Sequence, residues 1–193
     1  MKTPTLLLLA FSAVALVSAQ DTPLPYQLNS ERLEFYLKDR PEMLERALAP
    51  VQAHMEAYFE GDMKKLRKAW RTTGIVQIEF PLVEDGQVKI QNDRKSISHW
   101  TSMIEQKIKE IGLEQWKQQQ RHPNHDLRLT VLNITSQGAL ILVEDPMGYS
   151  MGPERKTKFP FYGNALMLFR VIHNFYPKDA TIQQLLLEPA DGC

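Results

Sequence analysis

Five consecutive residues, His122-Pro123-Asn124-His125-Asp126, hold a dense set of potential metal ligands. Two imidazoles and a carboxylate are donors that zinc accepts, but a zinc site needs three or four ligands held on rigid elements. Here a prolyl loop sets the spacing and no fourth ligand follows nearby, so no metal site is expected. No cofactor is expected either, because the chain has neither a glycine-rich phosphate loop nor a nucleophile elbow. Tyr58, Trp70 and Trp100 offer flat apolar faces, suited to stacking on a planar ring or to filling a core. Asn133-Ile134-Thr135 is an acceptor sequon for N-glycosylation, which matters only in a eukaryotic secretory pathway. Met147, Tyr149 and Met151 fall in a long loop and can form either an adaptable lip over a pocket or a solvated segment.

The elements that position these groups start at Pro41. Leu44, Leu48, Val51, Met55 and Tyr58 recur at three- and four-residue spacing, one face of a helix. Pro41 suits its first turn, while Pro50 removes a backbone bond and predicts one bent rod or two segments, 41–49 and 51–60. Gly61-Asp62 ends this helix and caps the next, on which Met63, Leu66 and Trp70 continue the spacing. Thr72-Thr73-Gly74 breaks the pattern, and Ile75 to Phe80 alternates with period two. Glu84-Asp85-Gly86-Gln87 predicts a hairpin turn, with a short returning strand over Val88 to Ile90. Asn92-Asp93 can cap a helix from about Lys95 whose buried stripe is Ile97, Trp100, Ile104, Ile108 and Ile111. Gln115 to Asp126 is polar, with Pro123 inside it, and predicts a loop or a ragged helical tail. A hairpin of Leu127–Ile134 and Ala139–Glu144 follows, then a loop over 145–158. A long strand, Phe159 to Ile172, is expected to bend at Gly163, and the last strand runs from Thr181 to Leu187.

Residues 1–19 have the form of a secretion signal, with Lys2, an apolar core from Leu6 to Val17, and Val17-Ser18-Ala19 before Gln20. The apolar run is shorter than the ~30 Å hydrocarbon core requires, so no membrane anchor is expected and the mature chain would be secreted or periplasmic. Residues 20–40 form an extension, extended at Pro23 and Pro25 and then helical to Leu37 behind Asn29-Ser30. The domain covers 41–188, and 189–193 is a tail. The 23 basic and 23 acidic residues cancel, so no global field directs the chain to nucleic acid. Cys193 is the single cysteine and excludes an intrachain disulfide, leaving stability to the core.

The run Tyr58-Phe59-Glu60-Gly61-Asp62, followed by Leu66, Trp70, a strand, Glu84-Asp85-Gly86 and another helix, resembles the nuclear transport factor 2-like superfamily. Within it, the similarity is to the lumazine-binding and polyketide cyclase-like branch. The resemblance spans 41–188 and is strongest up to Met103. It implies an α+β fold in which a curved, mixed or antiparallel sheet wraps the N-terminal helices into a cone with an internal pocket. It also implies site positions. His54 falls where ketosteroid isomerases carry the tyrosine that bonds the substrate oxygen, and Asn164 where they carry a protonated aspartic acid. Phe80 falls where they carry the aspartate base, and phenylalanine cannot abstract a proton. Glu79 is one residue away, and a one-residue shift turns a strand side chain to the other face. His54 can otherwise be a core histidine on a backbone carbonyl, and Asn164 a strand asparagine satisfying a bulge.

Three functions fit this pattern. The first is an exported domain binding a small hydrophobic or aromatic molecule against His54, Tyr58, Trp70, Phe80, Trp100 and Asn164, without catalysis. The second is an isomerase, cyclase or dehydratase in which His54 and Glu79 share proton transfer. The third is a homodimeric assembly module, since the superfamily often pairs through the outer face of its sheet. The missing aspartate at Phe80 favours the first over the second.

Overall fold

The computed structural model describes residues 26–84, 87–120, 127–144, 165–174 and 179–189. Five helices and seven strands follow in the order β1 (Tyr26–Leu28), α1 (Glu31–Leu37), α2 (Pro41–Glu60), α3 (Met63–Lys68), β2 (Trp70–Glu84), β3 (Gln87–Ser96), α4 (Ile97–Ile111), α5 (Leu113–Gln119), β4 (Arg128–Thr135), β5 (Gly138–Glu144), β6 (Ala165–His173) and β7 (Ala180–Pro189). All strands join one open sheet in the order β1-β4-β5-β6-β7-β2-β3. The β1–β4 and β2–β7 pairs are parallel and the rest antiparallel, so the sheet is mixed. Register shifts lie between Trp70 and Ile75, Val131 and Asn133, and Arg170 and Val171. Such shifts are where a sheet bends and twists most strongly.

The apolar stripe of α2 is buried as its spacing predicts, and Pro50 sits inside one continuous helix rather than between two segments. Gly61 ends α2 at φ 73°, where a Cβ would lie only 2.8 Å from Leu113 Cδ1, so both conformation and space call for glycine. Asp62 caps α3 by accepting the Lys65 N–H at 2.8 Å.

Local signals misplaced several boundaries. Trp70 does not continue α3 but opens β2, because pairing with Ile182 extends the strand back through Thr72-Thr73-Gly74. The returning strand is ten residues long, since β3 pairs with β2 from Gln87 to Ser96. Asn92 and Asp93 therefore lie in that ladder, and the cap of α4 is Ser96, which accepts the His99 N–H. The polar stretch after Gly112 is helical over α5. Residues 26–28 of the extension pair with β4, and Leu33 and Leu37 of α1 join the core behind the Ser30 cap. Gly163 lies outside the described residues, and the irregularity in β6 is at Arg170.

The helices cover one face of the sheet. From the sheet come Val76, Ile78, Leu129, Val131, Ile141, Val143, Phe169 and Leu185, and from the helices Val51, Leu66, Trp100, Ile104 and Trp116, all sealed from solvent. The fold class is α+β, and the deepest part of this core surrounds His54.

Candidate functional site

His54 faces the sheet from the middle of α2, fully buried. Four aromatic rings surround it, with centroid distances of 5.2 Å to Phe169, 5.6 Å to Trp70, 5.9 Å to Trp100 and 6.3 Å to Tyr58. These fall in the range of favourable ring pairs, each contributing ~0.5–1.5 kcal/mol beyond area burial. The Trp100 and Tyr58 planes lie within 18° and 27° of the imidazole, so His54 is stacked against both. Arg67 fixes that geometry from outside. It donates to Thr101 Oγ1 at 2.7 Å and to Glu105 at 2.9 Å, tying α3 to the helix that carries Trp100.

The indole N–H of Trp70 donates to His54 Nδ1 at 2.9 Å. A ring nitrogen that accepts cannot carry the proton, so the neutral imidazole is protonated at Nε2. Burial in this apolar surround lowers the pKa from 6.5 to about 3. A general base working near neutral pH needs a free lone pair and a matched pKa. His54 has neither. The donor to Nδ1 is an indole whose spacing from Leu66 predicts a helix but which stands first in β2.

Glu79 stands on the other side of the sheet. Val76 and Ile78 are fully buried against the helices, and the intervening Gln77 and Glu79 point away from them. The Glu79 carboxylate accepts from Gln77 Nε2 at 2.7 Å and Asn92 Nδ2 at 3.0 Å, a polar row on the outer face. The two candidate proton carriers, His54 and Glu79, are therefore not brought together. Tyr58, Trp70 and Trp100 do converge with His54. Phe80 pairs with Gln91 in β2, but its side chain lies outside the described residues, as do Asn164 and the His122–Asp126 cluster.

Two members of this cluster had no signal in the sequence. Trp116 is fully buried, 5.1 Å from the Tyr58 ring, and donates its N–H to the Tyr58 carbonyl at 2.9 Å. That carbonyl, in the last turn of α2, also accepts the Gly61 N–H at 3.2 Å. A lone tryptophan in a polar seven-residue helix carries no periodicity to announce this. Phe169 lay in a predicted strand, but which strands face α2 depends on sheet order, which the sequence does not display.

No family model matches the sequence, and no curated protein does. Among solved structures, the chain is similar to a nuclear transport factor 2-like protein with a cystatin-like fold from Novosphingobium aromaticivorans, at 11% identity over 86% of this chain and 93% of that one, TM-score 0.47. It is also similar to a nuclear transport factor 2-like protein of unknown function from Shewanella baltica, at 11% identity over 77% and 94%, TM-score 0.44. A third, a ketosteroid isomerase-like protein from Erwinia carotovora, shares 8% identity over 78% and 98%, TM-score 0.43. The fold itself rests on the strand order and helix packing above.

Proposed function

We propose that the protein is an exported, non-catalytic domain that binds a small hydrophobic or aromatic molecule against the aromatic wall around His54. The observation that carries this reading is the convergence of Tyr58, Trp70, Trp100 and Phe169 around His54, whose Nδ1 accepts from Trp70. Flat apolar faces of this kind are suited to stacking on a planar ring. The same arrangement lacks a base, since the nearest sequence candidate, Glu79, lies on the outer sheet face. That observation weighs against an isomerase, cyclase or dehydratase.

Native mass spectrometry of the protein recovered from the exported fraction tests this. A retained small aromatic mass is expected, and His54→Phe, which removes the acceptor that orients Trp70, should weaken its retention. Protein carrying no small molecule, whose thermal midpoint no planar aromatic compound raises, would overturn the proposal.

One observation favours a second property, self-association. Leu142, Leu168 and Leu186 stand in register on three adjacent strands, half-exposed on the outer face. A row of leucines there is a surface a second copy can cover. Leu168→Glu should turn a dimer into a monomer by sedimentation, and a wild-type monomer would remove this reading.

A further inference from the structure

Alongside α2 lies a groove of about 770 Å³. Its floor is made of small residues from three places in the fold, namely Ala49, Pro50 and Ala53 of α2, Ala69 after α3, and Ala180 at the start of β7. No large side chain fills the space. Pro50 also has no N–H to give to the Arg46 carbonyl, so the helix leaves an acceptor on the groove side.

The rim carries three acidic and three basic residues, and their existing bonds sort them by position. Lys65 is held by Glu56 and Glu60 at 3.5 and 3.3 Å. Arg46 donates to the carbonyls of Asn174 and Asp179, and the Asp179 carboxylate accepts from Asn174 at 2.7 Å. Glu42, Glu45 and Lys68 remain, in no ion pair among the described residues. Glu42 and Glu45 mark the N-terminal end of the groove. Lys68 marks the other, because Trp70 next to Ala69 is bonded to His54, the neighbour of Ala53. Eight to eleven helical steps separate the ends, ~12–16 Å at 1.5 Å per residue.

We propose that this groove is a second binding site, for a short zwitterionic peptide lying extended along α2. Its ammonium end meets Glu42, Glu45 and the Arg46 carbonyl, and its carboxylate end meets Lys68. Four extended residues span ~13–14 Å, which matches the separation of the charges. The alanine floor lets a peptide backbone lie close to the helix.

The test uses the full-length mature protein and tetraalanine with free termini, in isothermal titration. Saturable one-to-one binding is expected, with affinity falling about tenfold or more for the N-acetylated and the C-amidated peptides, the loss of one charge contact each. Ala49→Trp, on an exposed position, should abolish binding with the thermal midpoint unchanged. Lys68→Glu, also exposed, should weaken the free peptide about tenfold and the C-amidated one much less. Equal affinity for blocked and free peptides would overturn the charge assignment. Binding that survives Ala49→Trp would overturn the site. The absence of saturable binding up to ~10 mM, a free energy weaker than about 3 kcal/mol, would overturn the proposal altogether.

Discussion

The two faces of β2 differ in what one residue of spacing does. Val76 and Ile78 are sealed on the side where α3 and α4 pack on β2, whereas Gln77 and Glu79, alternating with them, form a hydrogen-bonded row with Asn92 and Gln184 on the outside. The inner face holds His54 neutral among aromatic rings, and the outer face keeps a carboxylate solvated and paired with amides. Chemistry that needs a base and a donor together cannot be assembled from residues the pleat sends to opposite sides. The same alternation makes the inner face rigid and leaves the outer face open to a partner.

The largest effect is expected from breaking the inner face. Trp116→Ala removes a fully buried indole and its bond to the Tyr58 carbonyl. Large-to-small changes of this kind cost ~3–5 kcal/mol. Urea denaturation should show that loss, and a midpoint near wild type would mean α5 is dispensable to the core.

Next comes pH. His54 titrates at about 6.5 when unfolded and about 3 when folded, because burial disfavours its charged form. The unfolded state therefore binds the proton first as pH falls. Stability is full above pH ~6.5 and declines toward pH 3, by ~1.4 kcal/mol per unit, or about 2.7 kcal/mol at pH 4.5. His173 adds in the same direction, lowered by burial and by Arg46, against a raising bond to the Ser136 backbone. Denaturation at a series of pH values should show the slope, and His54→Gln should flatten it by about one proton's worth. A slope unchanged by His54→Gln would place the titration elsewhere.

How much of this was legible before the structure depends on how local each signal is. The α2 stripe, the Gly61 turn and the Asp62 cap depend on neighbours within four residues, and the sequence displays them. The length of β3 does not, because Asn92 and Asp93 are equally good cap residues until pairing with Glu79 and Ile78 claims them for the sheet. Trp70 sits at helical spacing from Leu66, yet its bond to His54 comes from standing first in β2. The site was legible as residue types, a histidine and three aromatic rings, while its decisive feature, which nitrogen accepts from which indole, belongs to tertiary packing.

A smaller effect is expected from the turn outside both faces. Asp62→Ala removes the acceptor for the Lys65 N–H and should cost ~1 kcal/mol. Because that turn sets α3, and Arg67 on α3 ties down the helix bearing Trp100, ring stacking on His54 should loosen with it. A denaturation midpoint unchanged within error would show that the cap is not holding the turn.

The smallest effect is the sharpest test of the comparison. Glu79→Gln keeps the shape of the side chain and exchanges a carboxylate for an amide on the outer face. Its partners are the amide groups of Gln77 and Asn92, which can still donate to the remaining carbonyl oxygen. Stability should change by less than ~0.5 kcal/mol, the usual range for a surface substitution. Ligand affinity at the His54 wall should not move, since the strand lies between the two groups. An acid/base enzyme would behave otherwise, losing turnover on a cyclic substrate while keeping its binding, because a general base acts only in the chemical step. Kinetic and binding measurements on the same variant thus separate the two. Unchanged affinity with no activity in either protein keeps the inner and outer faces independent. Turnover present in wild type and lost in Glu79→Gln would mean that the outer face carries the reaction.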